Sequence, residues 1–191
     1  MTPGRGLAAV LLWATLGFAM LPVQAAALHL DAVGRLPVAL DDKVEVFEDP
    51  GAQLGFEAVE KLGSRSPGGF MPGTQARMRP GFSNSAFWLR LTLANDANAD
   101  QALRLVLNTT WLQYVDFHVQ RSAPGMAPAT AWTHEAAGVS RPPVGRNLDR
   151  VPVLALDLRP GEQARVLVRV QSRSSVRLAP LLHSAETWRA T

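Results

Sequence analysis

The chain has 191 residues, no cysteine and a formal net charge of +3 at pH 7. The lack of cysteine excludes a disulfide scaffold, and the length beyond an apolar N-terminal segment suits one domain with a full hydrophobic core. Basic and acidic residues number 7 and 9 over residues 26–96, but 11 and 7 over residues 97–191. The basic residues are spread through predicted strands rather than clustered, which argues against nucleic acid as a partner. The best explanation for these basic residues is that they lie on solvent-exposed strand faces. The alternative is a mildly positive face toward an anionic membrane or an acidic sugar.

The first 27 residues have the pattern of a secretory signal peptide. Arg5 supplies a cationic start, residues 7–20 are apolar, and residues 23–27 end the segment with small side chains. An apolar run of about 14 residues is shorter than the roughly 20 that a membrane span needs, although an uncleaved anchor is the alternative. The sequence therefore predicts an exported, cysteine-free domain at 28–191, which suits the bacterial periplasm.

One short helix is predicted at residues 53–62. Four apolar residues recur there at roughly helical spacing, between a breaker at 49–51 and Gly63. A strand is predicted before it, at residues 43–47.

The clearest strand signal lies within residues 82–95. Apolar side chains alternate at Phe87, Leu89, Leu91 and Leu93, with Trp88 and Arg90 on the opposite face. This pattern predicts a half-buried strand whose outer face is polar and aromatic.

Further strands are predicted at residues 102–107, 112–119, 151–158, 164–170 and 176–182. In the third of these, Val151 and Val153 are predicted to share one apolar face. Pro180 favours an edge position or a bulge for the last. Two excursions rich in small residues, Gly and Pro, at 64–80 and 122–143, are interpreted as ordered loops over a sheet. Seven or eight short strands with little helix predict an all-β sandwich.

The order of these segments resembles a known family. A Val-Glu-Val-Phe-Glu-Asp-Pro strand end, the short helix and a Phe-Trp-Leu-Arg-Leu-Thr-Leu-Ala-Asn strand are followed by a Tyr-Val-Asp-Phe-His strand, Arg146-Asn147 and a final Val-Arg-Val-Gln-Ser strand. Across residues 41–188 this order is similar to the type 2 extracellular domain of bacterial seven-transmembrane receptors with diverse intracellular signalling modules.

This resemblance implies a jelly-roll β-sandwich like the galactose-binding domains. It also implies a non-catalytic sensor at the outer face of the inner membrane, with a carbohydrate-like small ligand and a membrane signalling module as its partners. The sequence stops at Thr191, where a receptor would continue into its membrane helices. We therefore expect the signalling module in cis if the chain is a fragment, and in trans if it is complete.

The outward strand faces carry the candidate ligand-binding residues. A sugar site needs a flat aromatic ring and planar hydrogen-bonding groups around it. Such side chains lie opposite the apolar stripes of three predicted strands: Trp88, Arg90, Tyr114, Asp116, His118, Arg169 and Gln171. The competing interpretation is that Trp88 and Tyr114 pack beneath flanking loops as a second small core. Trp111 and Trp132 are alternative platforms.

Catalytic, metal and cofactor motifs are absent from the sequence. The four histidines lack ligand spacing, so we expect neither a metal nor a cofactor. A carbohydrate hydrolase would need two carboxylates about 5 to 10 Å apart, for instance Asp116 with Glu135, and nothing in the sequence brings such a pair together. A protein-interaction or structural domain of the cell envelope is the main alternative to a sensor.

Overall fold

The protein is a two-layered β-sandwich, seen in a computed structural model that describes residues 27–31, 35–65, 67–74, 77–124, 131–141 and 150–190. Nearly all of the predicted signal peptide, Arg146-Asn147 and parts of the 122–143 excursion lie outside the described residues. The strands are β1 (Leu28–His29), β2 (Val38–Ala39), β3 (Glu45–Asp49), β4 (Met71–Pro72), β5 (Ala86–Ala94), β6 (Gln101–Leu107), β7 (Tyr114–Ser122), β8 (Thr133–Ala137), β9 (Val153–Leu158), β10 (Gln163–Gln171) and β11 (Pro180–Ser184). The predicted all-β sandwich is confirmed.

Two five-residue helices accompany the strands, α1 (Phe56–Glu60) and α2 (Ala185–Arg189). The helix predicted at residues 53–62 is present as α1, while α2 carried no signal in the sequence analysis. Among the residues that the structure describes, no helix has the length and apolar character to cross a membrane.

The chain crosses repeatedly between the two sheets. The larger sheet has the order β4-β3-β5-β10-β7-β8, with β1 added in parallel beside β5, and the smaller has the order β2-β11-β6-β9. β6, β9 and β11 each lie in the smaller sheet, whereas β5, β7 and β10 lie in the larger one. This alternation is typical of a jelly roll, in which central neighbours such as β5 and β10, or β6 and β11, are distant in the sequence.

The core lies between the sheets and is made of alternating apolar side chains. The predicted inner stripe of β5 is buried, as are the inward residues of β6, β7 and β10. The inner stripe of β5 consists of Phe87, Leu89, Leu91 and Leu93, all 2 % exposed or less.

Val151 and Val153 share one apolar cluster, as predicted, while β9 turns Leu154, Leu156 and Leu158 into the main core. The last strand differs from its prediction. β11 begins at Pro180 and lies between β2 and β6, so the predicted edge position is wrong. Proline is tolerated there because the first residue of a strand can lack an amide hydrogen bond.

Candidate functional site

All seven predicted ligand residues lie on one face of the larger sheet. We call this the outer face, because it points away from the core between the sheets. Trp88 pairs with Arg169 and Arg169 with Asp116, across β5, β10 and β7. One step along, Arg90 and His118 flank Leu167, and at the far end Gln171 pairs with Tyr114. Since residues that are direct cross-strand partners point to the same side of a sheet, the seven side chains share one surface.

A second apolar cluster covers one side of the outer face. It combines Trp88 and Leu167 of the sheet with Val59 of α1 and Phe70 of the following segment, all of them buried. Trp88 is only 1 % exposed, so its ring is packed as core. This outcome agrees with the second small core that was weighed as the competing interpretation for Trp88.

Arg90 belongs to a buried ion pair rather than to an open surface. Its Nε and one terminal nitrogen donate to Glu45 Oε2 at 3.1 and 2.8 Å, and its other terminal nitrogen donates to the Leu62 carbonyl at 2.8 Å. The Ser64 hydroxyl accepts a further hydrogen bond from the Arg90 guanidinium at 2.6 Å. The guanidinium carbon also lies 3.9 Å from the centre of the Phe70 ring. The network therefore fastens the segment after α1 onto β5.

His118 lies in a stack of rings at the middle of the outer face. Its ring is 4.4 Å from Phe56 of α1 and 4.8 Å from His134 of β8, measured between centroids. Burial, together with the charge of a protonated His134, lowers the pKa of His118 to about 4, against the opposing effect of the Asp116 carboxylate. His118 is therefore neutral in the folded protein at neutral pH.

Stability is expected to fall as the pH drops from about 6.5 to 4. The unfolded chain protonates His118 near its ordinary pKa of about 6.5, whereas the folded chain resists protonation until about 4. The stabilisation that comes from keeping His118 neutral is complete above pH 6.5 and lost below pH 4. Because the ring is partly exposed, we expect this stabilisation to reach only about 1–2 kcal/mol. Urea unfolding of the wild type and of His118→Phe at pH 7 and 4.5 measures it. An unchanged pH dependence in the variant would contradict the assignment.

Asp116 connects the ring stack to the exposed end of the outer face. Its buried carboxylate accepts two hydrogen bonds from Arg141, at 2.7 and 3.0 Å, and contacts His134 Nε2 at 3.1 Å. The Arg141 guanidinium in turn lies 5.5 Å from the centre of the Tyr114 ring. Asp116 thus positions a cation beside Tyr114.

A polar pocket opens where β7 begins and β10 ends. It has a volume of about 340 Å³ and is lined by Asn84, Gln113, Tyr114, Gln171, Ser172 and Arg173. Tyr114 is 40 % exposed, so the second-core interpretation does not hold for its ring. Two contacts order the lining: Arg169 donates to Gln171 Oε1 at 2.9 Å, and Gln113 Oε1 accepts from the Arg173 amide at 2.7 Å.

Sequence reasoning did not identify four of the lining residues, Asn84, Gln113, Ser172 and Arg173. Each lies within two residues of the start of β5, the start of β7 or the end of β10, and loops at strand ends come together only in the folded sheet. For Asn84 and Gln113 the available signal was an amide side chain close in sequence to an aromatic residue, Phe82 and Tyr114 respectively.

The two alternative tryptophans have different surroundings. Trp111 is 47 % exposed and donates its indole N–H to the Ser175 carbonyl at 2.6 Å. Trp132 packs on Phe56 with 5.0 Å between ring centres and lies beneath the Arg165 guanidinium. Trp132 therefore extends the cover of the outer face.

The carboxylates and histidines do not assemble into a catalytic centre in the described part of the chain. Asp116 pairs across the sheet with Ala136, so Glu135 points to the opposite face. His29, Asp31 and Asp96 meet at the surface within 4.8 Å, which sequence spacing did not anticipate. All three are exposed, and His29 is hydrogen-bonded to Asp96 at 2.6 Å. An exposed cluster of this kind does not by itself define a metal site.

Comparison with known proteins agrees with the predicted resemblance. A search of curated proteins found no match. A family model described as 7TMR-DISM extracellular 2 matches residues 41–184, a span that runs from just before β3 to the end of β11 and covers most of both sheets. The family is one of receptor extracellular domains, which implies placement outside the cytoplasm and association with a seven-transmembrane module. The chain belongs to the 7TMR-DISM extracellular 2 family.

Proposed function

We propose that this protein is a non-catalytic periplasmic sensor domain that binds a small, carbohydrate-like ligand in the polar pocket beside Tyr114. Ligand occupancy is passed to a membrane signalling module at the outer face of the inner membrane. Family membership supports the sensory role. The residues that line the pocket are the observation that supports a carbohydrate-like ligand.

The lining combines one exposed aromatic ring with side-chain amides and a guanidinium. Tyr114 offers a face for the apolar side of a pyranose, while Asn84, Gln113 and Gln171 offer planar donors and acceptors for hydroxyl groups. The volume of about 340 Å³ falls at the lower end of the range for small-molecule sites and suits a mono- or disaccharide. No carboxylate is among the described residues that line the pocket, which favours binding over hydrolysis.

The predicted ligand residues take different roles in this proposal. Tyr114 and Gln171 contact the ligand, and Arg169 orients Gln171 through their hydrogen bond. Asp116 holds Arg141 near Tyr114, and His118 supports Asp116 from the ring stack. Trp88 and Arg90 act indirectly, by holding the cover of the outer face in place.

Tyr114→Ala is expected to abolish sugar binding with little loss of stability. The exposed ring contributes little to the core, so the free energy of unfolding should change by less than about 1 kcal/mol. A glycan array probed with the full chain identifies the best-bound sugar, and calorimetry with that sugar compares the variants. Tyr114→Phe is the matched control, because it keeps the ring and should retain most of the affinity.

Equal affinity of the wild type and Tyr114→Ala for the array-selected sugar would contradict the pocket assignment. No signal from any sugar on the array would contradict the ligand class.

One observation favours the protein-interaction alternative. Phe82 is 83 % exposed and lies with Met71 and Phe47 around a groove of about 540 Å³ at the β3–β4 side of the larger sheet. An exposed aromatic residue on an apolar groove is typical of interaction surfaces. Under this alternative Phe82→Ser, and not Tyr114→Ala, would abolish signalling in cells.

A further inference from the structure

We propose that a cleft at the opposite end of the sandwich from the polar pocket binds the anionic headgroups of a phospholipid membrane. The cleft has a volume of about 870 Å³ and is enclosed by the start of β6, the end of β7, the turn after β9, and α2. Four arginines line it: Arg104, Arg121, Arg159 and Arg189.

Two of these arginines are fixed by ion pairs. Arg104 donates to the Leu103 carbonyl at 2.6 Å and lies 3.4 Å from Asp157. Arg121 donates to the Asp157 carbonyl at 2.7 Å and lies 3.2 Å from Glu162. Their charges are balanced, so they shape the cleft without leaving it strongly positive.

The other two arginines carry the unbalanced charge. The side chains of Arg159 and Arg189 are exposed, and within the described residues neither guanidinium has a hydrogen bond or an ion pair, although the Arg159 backbone amide donates to Glu162 Oε2 at 2.9 Å. Asp100 is the remaining acidic residue of the lining, so basic groups exceed acidic ones by one. A guanidinium binds phosphate oxygens through two parallel hydrogen bonds, and two free guanidinium groups in one cleft therefore suit a phosphate group.

The surroundings of the cleft favour a membrane as the source of that phosphate. The family is defined by extracellular domains of membrane receptors, so a bilayer lies close to the domain. Arg189 is in the last turn of α2 next to Trp188, which is only partly buried and packs edge-on against His183 at 5.3 Å. Tryptophan is enriched at membrane–water interfaces, and a neighbouring basic residue attracts anionic headgroups.

The cleft and the polar pocket are well separated. The pocket lies at Tyr114 and Gln171, whereas the cleft lies at Arg121 and Glu162, near the other ends of the nine-residue strands β7 and β10. Such strands are roughly 27 Å long. Headgroup binding at the cleft would orient the polar pocket away from the membrane.

Vesicle co-sedimentation of the full chain tests the proposal. Binding to phosphatidylcholine vesicles sets the baseline, which includes any insertion of the N-terminal segment. The additional binding to vesicles that contain phosphatidylglycerol measures the contribution of anionic headgroups. We expect the wild type to prefer the anionic vesicles, and the double variant Arg159→Ala/Arg189→Ala to bind them about thirtyfold more weakly. Both substitutions are at exposed positions, so the fold should be retained, which circular dichroism checks.

Arg79→Ala/Arg177→Ala is the matched control. It removes the same charge from two other exposed arginines that do not line the cleft, and it should bind like the wild type. An equal loss in the control would show diffuse charge attraction and overturn the proposal. So would the absence of any preference for anionic vesicles. Complete competition by inorganic phosphate at constant ionic strength would assign the cleft to a soluble phosphate and overturn the membrane assignment.

Discussion

Trp88→Ala is expected to lower the free energy of unfolding by about 3–5 kcal/mol, the range typical of removing a large aromatic side chain from a core. The indole is 1 % exposed and packs against Val59, Phe70 and Leu167. Its removal leaves a cavity between the outer face and α1 that five helical residues cannot refill. Urea unfolding at pH 7 measures the change.

Trp111→Ala is the matched control for this prediction. Trp111 is the same residue type, but it is 47 % exposed and has one hydrogen bond to the Ser175 carbonyl. We expect its replacement to cost about 1 kcal/mol or less. Similar losses in the two variants would mean that the second apolar cluster contributes no more than an ordinary surface contact.

Arg90→Met is expected to destabilise the protein by about 3–5 kcal/mol, as for other buried ion pairs that lose one partner. The Arg90 and Glu45 side chains are 11 % and 10 % exposed, so the variant leaves a carboxylate that water hardly reaches. It also removes the donor to the Leu62 carbonyl. Methionine keeps most of the side-chain volume, so the measured loss reflects charge and hydrogen bonding more than packing.

The double variant Glu45→Gln/Arg90→Met separates charge from packing. Because it no longer buries an uncompensated charge, we expect it to recover part of the stability lost in Arg90→Met. A double variant less stable than Arg90→Met would mean that Glu45 is stabilised mainly by Ser64, which donates to it at 3.0 Å.

The central strands could be predicted from sequence because each has one clearly apolar face. β5 and β10 alternate over nine residues, and their inner stripes are buried as expected. β9 could not be assigned a core face in this way, since its outward face is also apolar except at Asp157. Val153, and Val151 just before the strand, pack with Val106, and Trp188 lies against that cluster. The cover that α2 provides there was not predicted from sequence.

The candidate site could be predicted as a surface but not as a pocket. Alternation places Trp88, Arg169 and Asp116 on one side of their strands, and the sheet brings them together. Which of them is accessible depends on segments far away in the sequence. α1 and Phe70 cover Trp88, while Tyr114 stays open. No local pattern near residue 88 encodes that cover.

β10 has a practical consequence for measuring ligand binding. It is paired over all nine residues with β5 on one side and β7 on the other. Amides in such a strand exchange their hydrogens with solvent only when the whole domain opens. A ligand present at 100 times its Kd adds about 2.7 kcal/mol to the free energy of that opening, and it should slow exchange along β10 about 100-fold. Because the pocket includes Gln171, the last residue of β10, and the cleft includes Glu162, which directly precedes β10, this one strand reports occupancy at either end of the molecule.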